Sequence, residues 1–315
     1  MKNSLVQNCE KLSRRSFGVM FVESVMSNYN GDPDMGNQPR TTKGDDCGLI
    51  SPVAFKHRVR DMLDDHRGPL WNYLNTELDL NEDNFYIWES AYKGFCDAST
   101  PKAANDLAKA YLKKNGESAI CDRYWDIRAF GTTALEGKGD KSKKHDDSVM
   151  NFKRSGCVAV SPFQSLRPVE IISQTITKAN PLRPELAENG DGDIAPLAFK
   201  VARHALFVGW YVINPHKAHY TNTTEKDIEV FKKLVVHAAN NSISAFRSGV
   251  RMVRVIHATH ENPLCSFNES EFFNFCRPVA LTKEGVPSTS MADYELKSQK
   301  DITDKFPNVK IEFLL

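Results

Sequence analysis

The sequence predicts an α+β fold in which a small antiparallel sheet carries helices on one face. Three observations carry that reading. Two apolar, β-prone runs, Phe17–Val25 and Ala205–Ile213, have the character of strands buried on both faces. Each is followed by a helix start signal: Ser51-Pro52 after the first, and Thr224 with Asp227 at the capping-box position after the second. Two shorter β-prone runs, Arg251–His257 and Val309–Phe313, close the chain. The order is β–α–insertions–β–α–β–β, compatible with the ferredoxin-like plan.

Between these elements the pattern is uneven. Residues 27–50 are too rich in Gly, Pro, Asn and Asp for helix or strand. In the helix opened by Ser51, Phe55, Val59, Met62 and Leu63 share one face. Lys56 and Arg60 lie on one flank of that stripe and Arg58 on the other. Residues 70–120 read as irregular helix. One helix starts at Thr100-Pro101, buries Leu107, Ala108, Tyr111 and Leu112, and ends at Gly116. Residues 132–153, with Lys138, Lys141, Lys143 and Lys144, are poor in apolar side chains and read as mobile. A second polar stretch covers 178–196. In the helix after Thr224, Ile228, Phe231, Leu234, Val235 and Ala238 face inward. Arg247, Arg251 and Arg254 form a basic group near the third strand. Arg251 and Arg254 differ in parity, so a regular strand points them to opposite faces.

Composition narrows the function. The 315 residues carry a net charge of +1. A free-standing DNA-binding domain is usually clearly basic, so any nucleic-acid contact must come from local patches. Near-neutrality also suits a subunit that packs against copies of itself. The seven cysteines are scattered singly with no Cys-x-x-Cys pair, which reads as reduced thiols in a cytoplasmic protein. No run of about 18 apolar residues predicts a membrane span. No apolar stretch precedes Lys11, Arg14 and Arg15, so no secretory signal is expected. Walker, dinucleotide-binding, Gly-x-Ser-x-Gly and His-Glu-x-x-His motifs are absent. The nearest approach to a zinc set is His257, His260, Cys265 and Cys276, whose spacing fits no compact pattern; His216 and His219 are weaker still. No cofactor or metal is expected.

The most distinctive segment is the loop Asn30-Gly31-Asp32-Pro33-Asp34-Met35-Gly36-Asn37-Gln38-Pro39-Arg40. Gly31 and Gly36 permit positive φ or close backbone approach. Pro33 and Pro39 stiffen the loop. Asp32, Asp34 and Asn37 can bond nearby amides. Arg40 offers a planar fork to a phosphate. A calcium loop is disfavoured because no Glu stands at the twelfth position and no helix pair flanks it. On chemistry alone, a purely structural turn stays open.

This loop, placed after a first buried strand, resembles the Cas-seven backbone subunits of type I CRISPR Cascade complexes, most closely the Csd and Csh branch of types I-C and I-B. Further matches follow in order. Gly48-Leu49-Ile50-Ser51 leads into Phe55-Lys56-His57-Arg58-Val59-Arg60, similar to the family's basic first helix. Tyr124-Trp125-Asp126-Ile127-Arg128-Ala129-Phe130-Gly131, Ser165-Leu166-Arg167-Pro168-Val169, Ser244-Ala245-Phe246-Arg247 and Phe306–Glu312 fit later blocks. The resemblance spans about residues 15–315. Asn28-Tyr29 departs from the family's usual Asn-Pro opening, and Ala159 and Gln164 replace residues that contact RNA in relatives.

The resemblance implies a hand-like molecule: an RRM-like (ferredoxin-like) palm, a helical finger insertion and an extended thumb hairpin. The palm would take residues 15–61, 121–171 (a web with the mobile loop 132–153) and 201–315, the fingers 62–120 and the thumb 172–200. It implies a non-catalytic protein that binds CRISPR guide RNA (crRNA) whatever its sequence and oligomerises along it. Implied partners are the crRNA, target DNA paired to the guide, copies of the chain, and the large, small and five-prime-handle-binding Cascade subunits. A protein that holds any guide should grip phosphates and riboses and leave base edges free. The RNA-binding candidates are Asn30, Gly31, Asn37, Arg40, Lys56, Arg58, Arg60, Phe130, Arg247 and Arg251. Two rivals remain: a type III-like ribonuclease subunit using Asp32 and Asp34, and an RRM-like protein that binds cellular RNA alone.

Overall fold

The computed structural model describes residues 10–96, 110–136, 150–177, 196–241 and 244–315. The helix start at Thr100-Pro101 with Leu107 and Ala108, the lysines at 138–144, and residues 178–195 of the second polar stretch lie outside the described residues.

Eight strands form the main sheet: β1 Ser16–Ser27, β2 Cys47–Ile50, β3 Val158–Val160, β4 Phe163–Pro168, β5 Ile171–Thr177, β6 Pro196–Ile213, β7 Val250–Thr259 and β8 Lys310–Phe313. Their order is β8-β7-β1-β6-β4-β2, with β3 and β5 also pairing with β6. All these pairings are antiparallel. The helices that matter here are α1 Pro52–Asp64, α2 Pro69–Leu78, α3 Trp88–Cys96, α4 Glu117–Arg123, α5 Trp125–Phe130, α6 Glu225–Val235, α7 Glu269–Cys276 and α8 Gln299–Lys305. Among the described residues no helix is long and apolar enough to cross a membrane.

β1 is central because it is apolar at both parities. Met20 and Val22 point into one core, and Phe17, Val19 and Phe21 into another. The first core is closed by Phe55, Val59, Met62 and Leu63 of α1, Trp71 and Leu74 of α2, and Ile228, Phe231, Leu234 and Val235 of α6. The second is closed by Phe272 and Cys276 of α7, by Ile302 of α8, and by Tyr294 in the segment before α8. The expected helical cover on one face is therefore corrected to cover on both. An apolar strand face left in water forfeits about 25 cal/mol for each Å² of apolar area that burial would remove from it.

Both start signals act as the sequence predicts. The Ser51 hydroxyl accepts from Ala54 N, with Pro52 in the first turn of α1. Thr224 and Asp227 form a reciprocal capping box on α6. Gly116, at φ 78°, stops the helix that contains Tyr111 and Leu112, and its N–H donates to Leu112 O at 2.9 Å.

The parity argument for Arg251 and Arg254 is overturned by a β-bulge. Phe21 pairs with Arg254 while Val22 pairs with Met252, so Val253 has no opposite residue. The extra residue resets the alternation. Arg251, opposite Glu23, and Arg254, opposite Phe21, therefore share the face of the second core.

Gly131 joins α5 to a separate hairpin, Thr132–Glu136 with Met150–Arg154. Its φ is +77°, and a Cβ there would stand 2.5 Å from the Arg154 carbonyl oxygen and the Gly156 nitrogen. Backbone crosses backbone at this point, so nothing flexible can yield. Gly131→Ala is expected to cost about 2 kcal/mol, read as a lower midpoint in urea unfolding.

His257 is buried in β7 with Nδ1 2.8 Å from the Tyr211 hydroxyl. Burial, and then the Lys232 charge, push its pKa down to about 3. The folded protein keeps this ring neutral, whereas the unfolded chain protonates it near pH 6.5. Its contribution is complete above the unfolded value and declines as pH falls from about 6.5 towards 3. Acidification from pH 7.5 to 5.5 is expected to remove about 1.4 kcal/mol. Urea unfolding of His257→Gln at the two pH values should lack that increment; an equal loss in the variant would assign it elsewhere.

Candidate nucleic-acid interface

The loop after β1 is a compact turn. Gly31–Asp32 pairs with Gln38–Pro39, and a short 3-10 turn, Pro33–Met35, fills the tip. Asp32 caps that turn by accepting from Asp34 N at 3.2 Å. Gly36 and Asn37 are both left-handed at φ 61°. Gly31 has no room for a Cβ, which would run into the Asn37 side chain. Asn30 Oδ1 accepts from Ser51 N at 2.8 Å, and Arg40 N donates to Asn30 O at 2.9 Å. The loop is thus tied to the start of α1. Asn30 and Asn37 serve that frame with their polar atoms. Arg40 is one-third exposed; its Nε donates to Gly31 O at 3.3 Å and its Nη2 lies 3.6 Å from Asp32. Asp32 therefore acts as a cap and ion-pair partner.

α1 presents its cations on two flanks, as the spacing predicts. On one flank, Lys56 Nζ and the Arg60 guanidinium lie 5.3 and 5.1 Å from the centre of the Phe130 ring. Phe130 is half-buried, set edge-on against Trp125 and Phe231. Arg60 is held by Glu89 at 3.0 Å and Asp126 at 3.3 Å. Asp126 is buried and accepts from the Trp88 and Glu89 amides at 2.7 and 3.2 Å, capping α3; burial holds its pKa up. Lys56 has no carboxylate partner among the described residues. Burial, and then the neighbouring Arg60 charge, push its pKa down.

On the other flank, Arg58 is buried and donates to Tyr29 O at 2.6 Å. Burial, and then Arg247, lower its pKa to about 10. Its guanidinium supports the loop rather than the surface. Arg247 sits in a 3-10 turn, Ala245–Arg247, beside Phe246, whose ring is 4.3 Å from that of Phe199. Arg251 Nε donates to the buried Glu23 at 2.6 Å, and the rest of its side chain is exposed. Glu23 also meets His204, whose pKa burial pushes down. The geometry brings Asn30, Gly31, Asn37, Arg40 and Arg58 together, places Lys56, Arg60 and Phe130 along α1, and sets Arg247 near Arg58. Arg251 belongs to the second-core face of the sheet.

Lys200 completes this basic rim and is not singled out by the sequence. It lies early in β6, and its Nζ donates to Gln38 Oε1 at 3.0 Å. A lysine inside a β-prone run was the available signal. Arg128 is also absent from the candidate set, for a different reason. It is buried against Asp227 at 2.8 Å and donates to the carbonyls of Asn84, Cys121 and Asp122, so the Asp126–Gly131 block locks α3, α4, α5 and α6 together.

The four residues nearest to a zinc set do not converge. His257 faces Tyr211, and Cys276 is buried in the second core. Among the described residues the one group with ligand spacing is His260, Cys265 and Glu269. There the His260 ring accepts from Ser266 N at 2.9 Å and meets Glu269 at 2.9 Å, and Glu269 also binds Arg15 at 2.8 Å. Both imidazole nitrogens are engaged, and a guanidinium already occupies the carboxylate.

The family model described as CRISPR-associated protein Cas7 matches residues 14–299. A protein of Haloferax volcanii, described as CRISPR-associated protein Cas7, is 24% identical over 236 residues, which cover 72% of this chain. The chain spans 65% of that relative's length. A chain of a solved CRISPR RNA-guided surveillance complex aligns over 95% of this chain and 88% of its own, at 12% identity and TM-score 0.46. A second, in a complex titled as pre-nicking, aligns over 82% and 79%, at 14% identity and TM-score 0.43.

Proposed function

The chain belongs to the CRISPR-associated Cas7 family, and from that premise we propose that it binds CRISPR guide RNA without catalysing a reaction and assembles in copies along it, as the backbone of a type I Cascade effector. One observation carries the reading. Lys56, Lys200 and Arg247 surround the Asn30–Arg40 loop and α1, and none has a carboxylate at ion-pair distance among the described residues. In a chain with 41 basic and 40 acidic residues, that local surplus calls for an external anion. A polyphosphate strand supplies it, and contacts made to phosphates leave base edges open for pairing with target DNA.

The strand order β7-β1-β6-β4, with α1 and α6 on one face, supports an RRM-like palm. An RRM presents stacking aromatics on its open sheet face. Here that face lies under α7 and α8, so the guide runs along the edge formed by the loop, α1 and Arg247. Residues 62–120 serve as fingers. The antiparallel pairing of Ile171–Thr177 with Pro196–Ala202 supports a hairpin thumb over 172–200. The large, small and five-prime-handle-binding subunits are the further partners of this reading. Asp32, spent on a cap and on Arg40, weighs against the ribonuclease alternative.

Native purification, with sizing and sequencing of co-purified RNA, tests the proposal. The expected result is several copies on intact RNA of no shared sequence. A strict one-to-one complex with one preferred sequence would favour a stand-alone RNA-binding protein. Cleavage of paired target RNA that Asp32→Ala abolishes would favour a ribonuclease subunit.

A further inference from the structure

A pocket of about 150 Å³ opens beside the loop, with Asn28, Asn37, Phe199, Lys200, Phe246 and Arg247 among its walls. Asn28 is only 6% exposed. Its Nδ2 donates to the carbonyls of Asn37 at 2.7 Å and Lys200 at 3.3 Å. Those two acceptors fix the amide's orientation, because a flip would set Oδ1 against two carbonyl oxygens. Oδ1 then has no donor among the described residues. A buried acceptor in that condition is a standing cost that a suitable ligand relieves.

The missing partner must be a donor, and that narrows its chemistry. Phosphodiester and ring ether oxygens only accept. Base donors differ from one nucleotide to the next. The 2′-hydroxyl is a donor carried by every ribonucleotide and by no deoxyribonucleotide. We propose that this pocket seats one ribose-phosphate unit and reads its 2′-hydroxyl through Asn28 Oδ1, an inference that rests on the guide-binding reading above. The hydroxyl donates to Oδ1, the adjoining phosphate meets Arg247 and Lys200, and the sugar packs on the Phe199–Phe246 pair. Oδ1 is covered in the free protein, so seating the ribose requires a wall of the pocket to move aside while the two Nδ2 bonds are kept. A subunit blind to base identity thereby gains a means of accepting RNA and refusing DNA.

The test changes the strand before the protein. A short oligoribonucleotide of mixed sequence is compared with its 2′-fluoro counterpart, which keeps the polar substituent and loses the donor. The wild-type chain is expected to bind the hydroxyl strand about fivefold more tightly, the worth of a neutral hydrogen bond. In Asn28→Ala the ratio should fall to one, whereas Arg247→Gln should weaken both strands and preserve the ratio. Equal affinity of the wild-type chain for both strands overturns the hydroxyl contact and leaves guide binding standing. A ratio unchanged in folded Asn28→Ala overturns the site. Failure of the wild-type chain to bind either strand overturns the guide-binding reading, and this inference with it. If Asn28→Ala does not fold, the wild-type ratio decides alone.

Discussion

Arg128→Ala is expected to remove about 3–5 kcal/mol of folding stability, the range for stranding one member of a buried ion pair. Asp227 would remain buried with its charge uncompensated, although it would keep its bonds to Thr224. The carbonyls of Asn84, Cys121 and Asp122 would lose their donors at the same time. These acceptors come from the segment before α3, from α4 and from the α6 cap, so a single truncation loosens the junction between insertion and sheet. The measurement is urea unfolding followed by tryptophan fluorescence, since Trp125 donates to Asp227 O at 3.2 Å and reports on the same joint. A loss under 1 kcal/mol would mean that the junction repacks. Adding Asp227→Asn to Arg128→Ala should recover part of the loss, because no buried charge is then left alone.

Replacing Lys56 and Arg247 together with glutamine is expected to weaken binding of single-stranded RNA about a hundredfold, on the order of 3 kcal/mol for two charge-assisted contacts. The slope of log affinity against log salt should become shallower by about 1.4, two phosphates at about 0.7 each on a single strand. The loss should be the same for every sequence, because neither residue is proposed to read a base. Filter binding at several salt concentrations, with two unrelated oligonucleotides, reads all three quantities. An unchanged salt slope would remove these residues from the interface. Arg60 is unsuitable for this test. Its guanidinium is held by Glu89 and Asp126, so removing it would disturb the α3 cap as well as any RNA contact.

What the sequence disclosed was what local chemistry determines. Ser51 and Thr224 announce their helices because a cap acts within three residues. β1 and β6 stand out because both of their faces are apolar. The bulge at Val253 has no local signature; it arises from fitting β7 to β1, and it reverses which side Arg254 occupies. The layer formed by α7 and α8 escapes a periodicity search because it is built from short pieces, and its demand is visible only as the second apolar face of β1. The loop was recognisable as a marker, but its pocket was not. Asn28 and Lys200 are 172 positions apart, and only the fold makes them neighbours. The Asp126–Gly131 block shows the converse. A segment matched for a family function turns out to hold Asp126 and Arg128 as joints of the framework, with Phe130 alone beneath the cations of α1.

The central position of β1 also sets a timetable for synthesis. Its partners are β6, which ends at Ile213, and β7, which begins at Val250. At about 5–20 residues per second, roughly 10–40 s separate the emergence of β1 from that of a complete β6. Throughout that interval a strand with two apolar faces and two unpaired edges is exposed to other nascent chains, the condition under which strands add to one another instead of to their own sheet. Fragments that stop before residue 196 should therefore aggregate, and the yield of native protein should rise when holdase chaperones are abundant or translation is cooled.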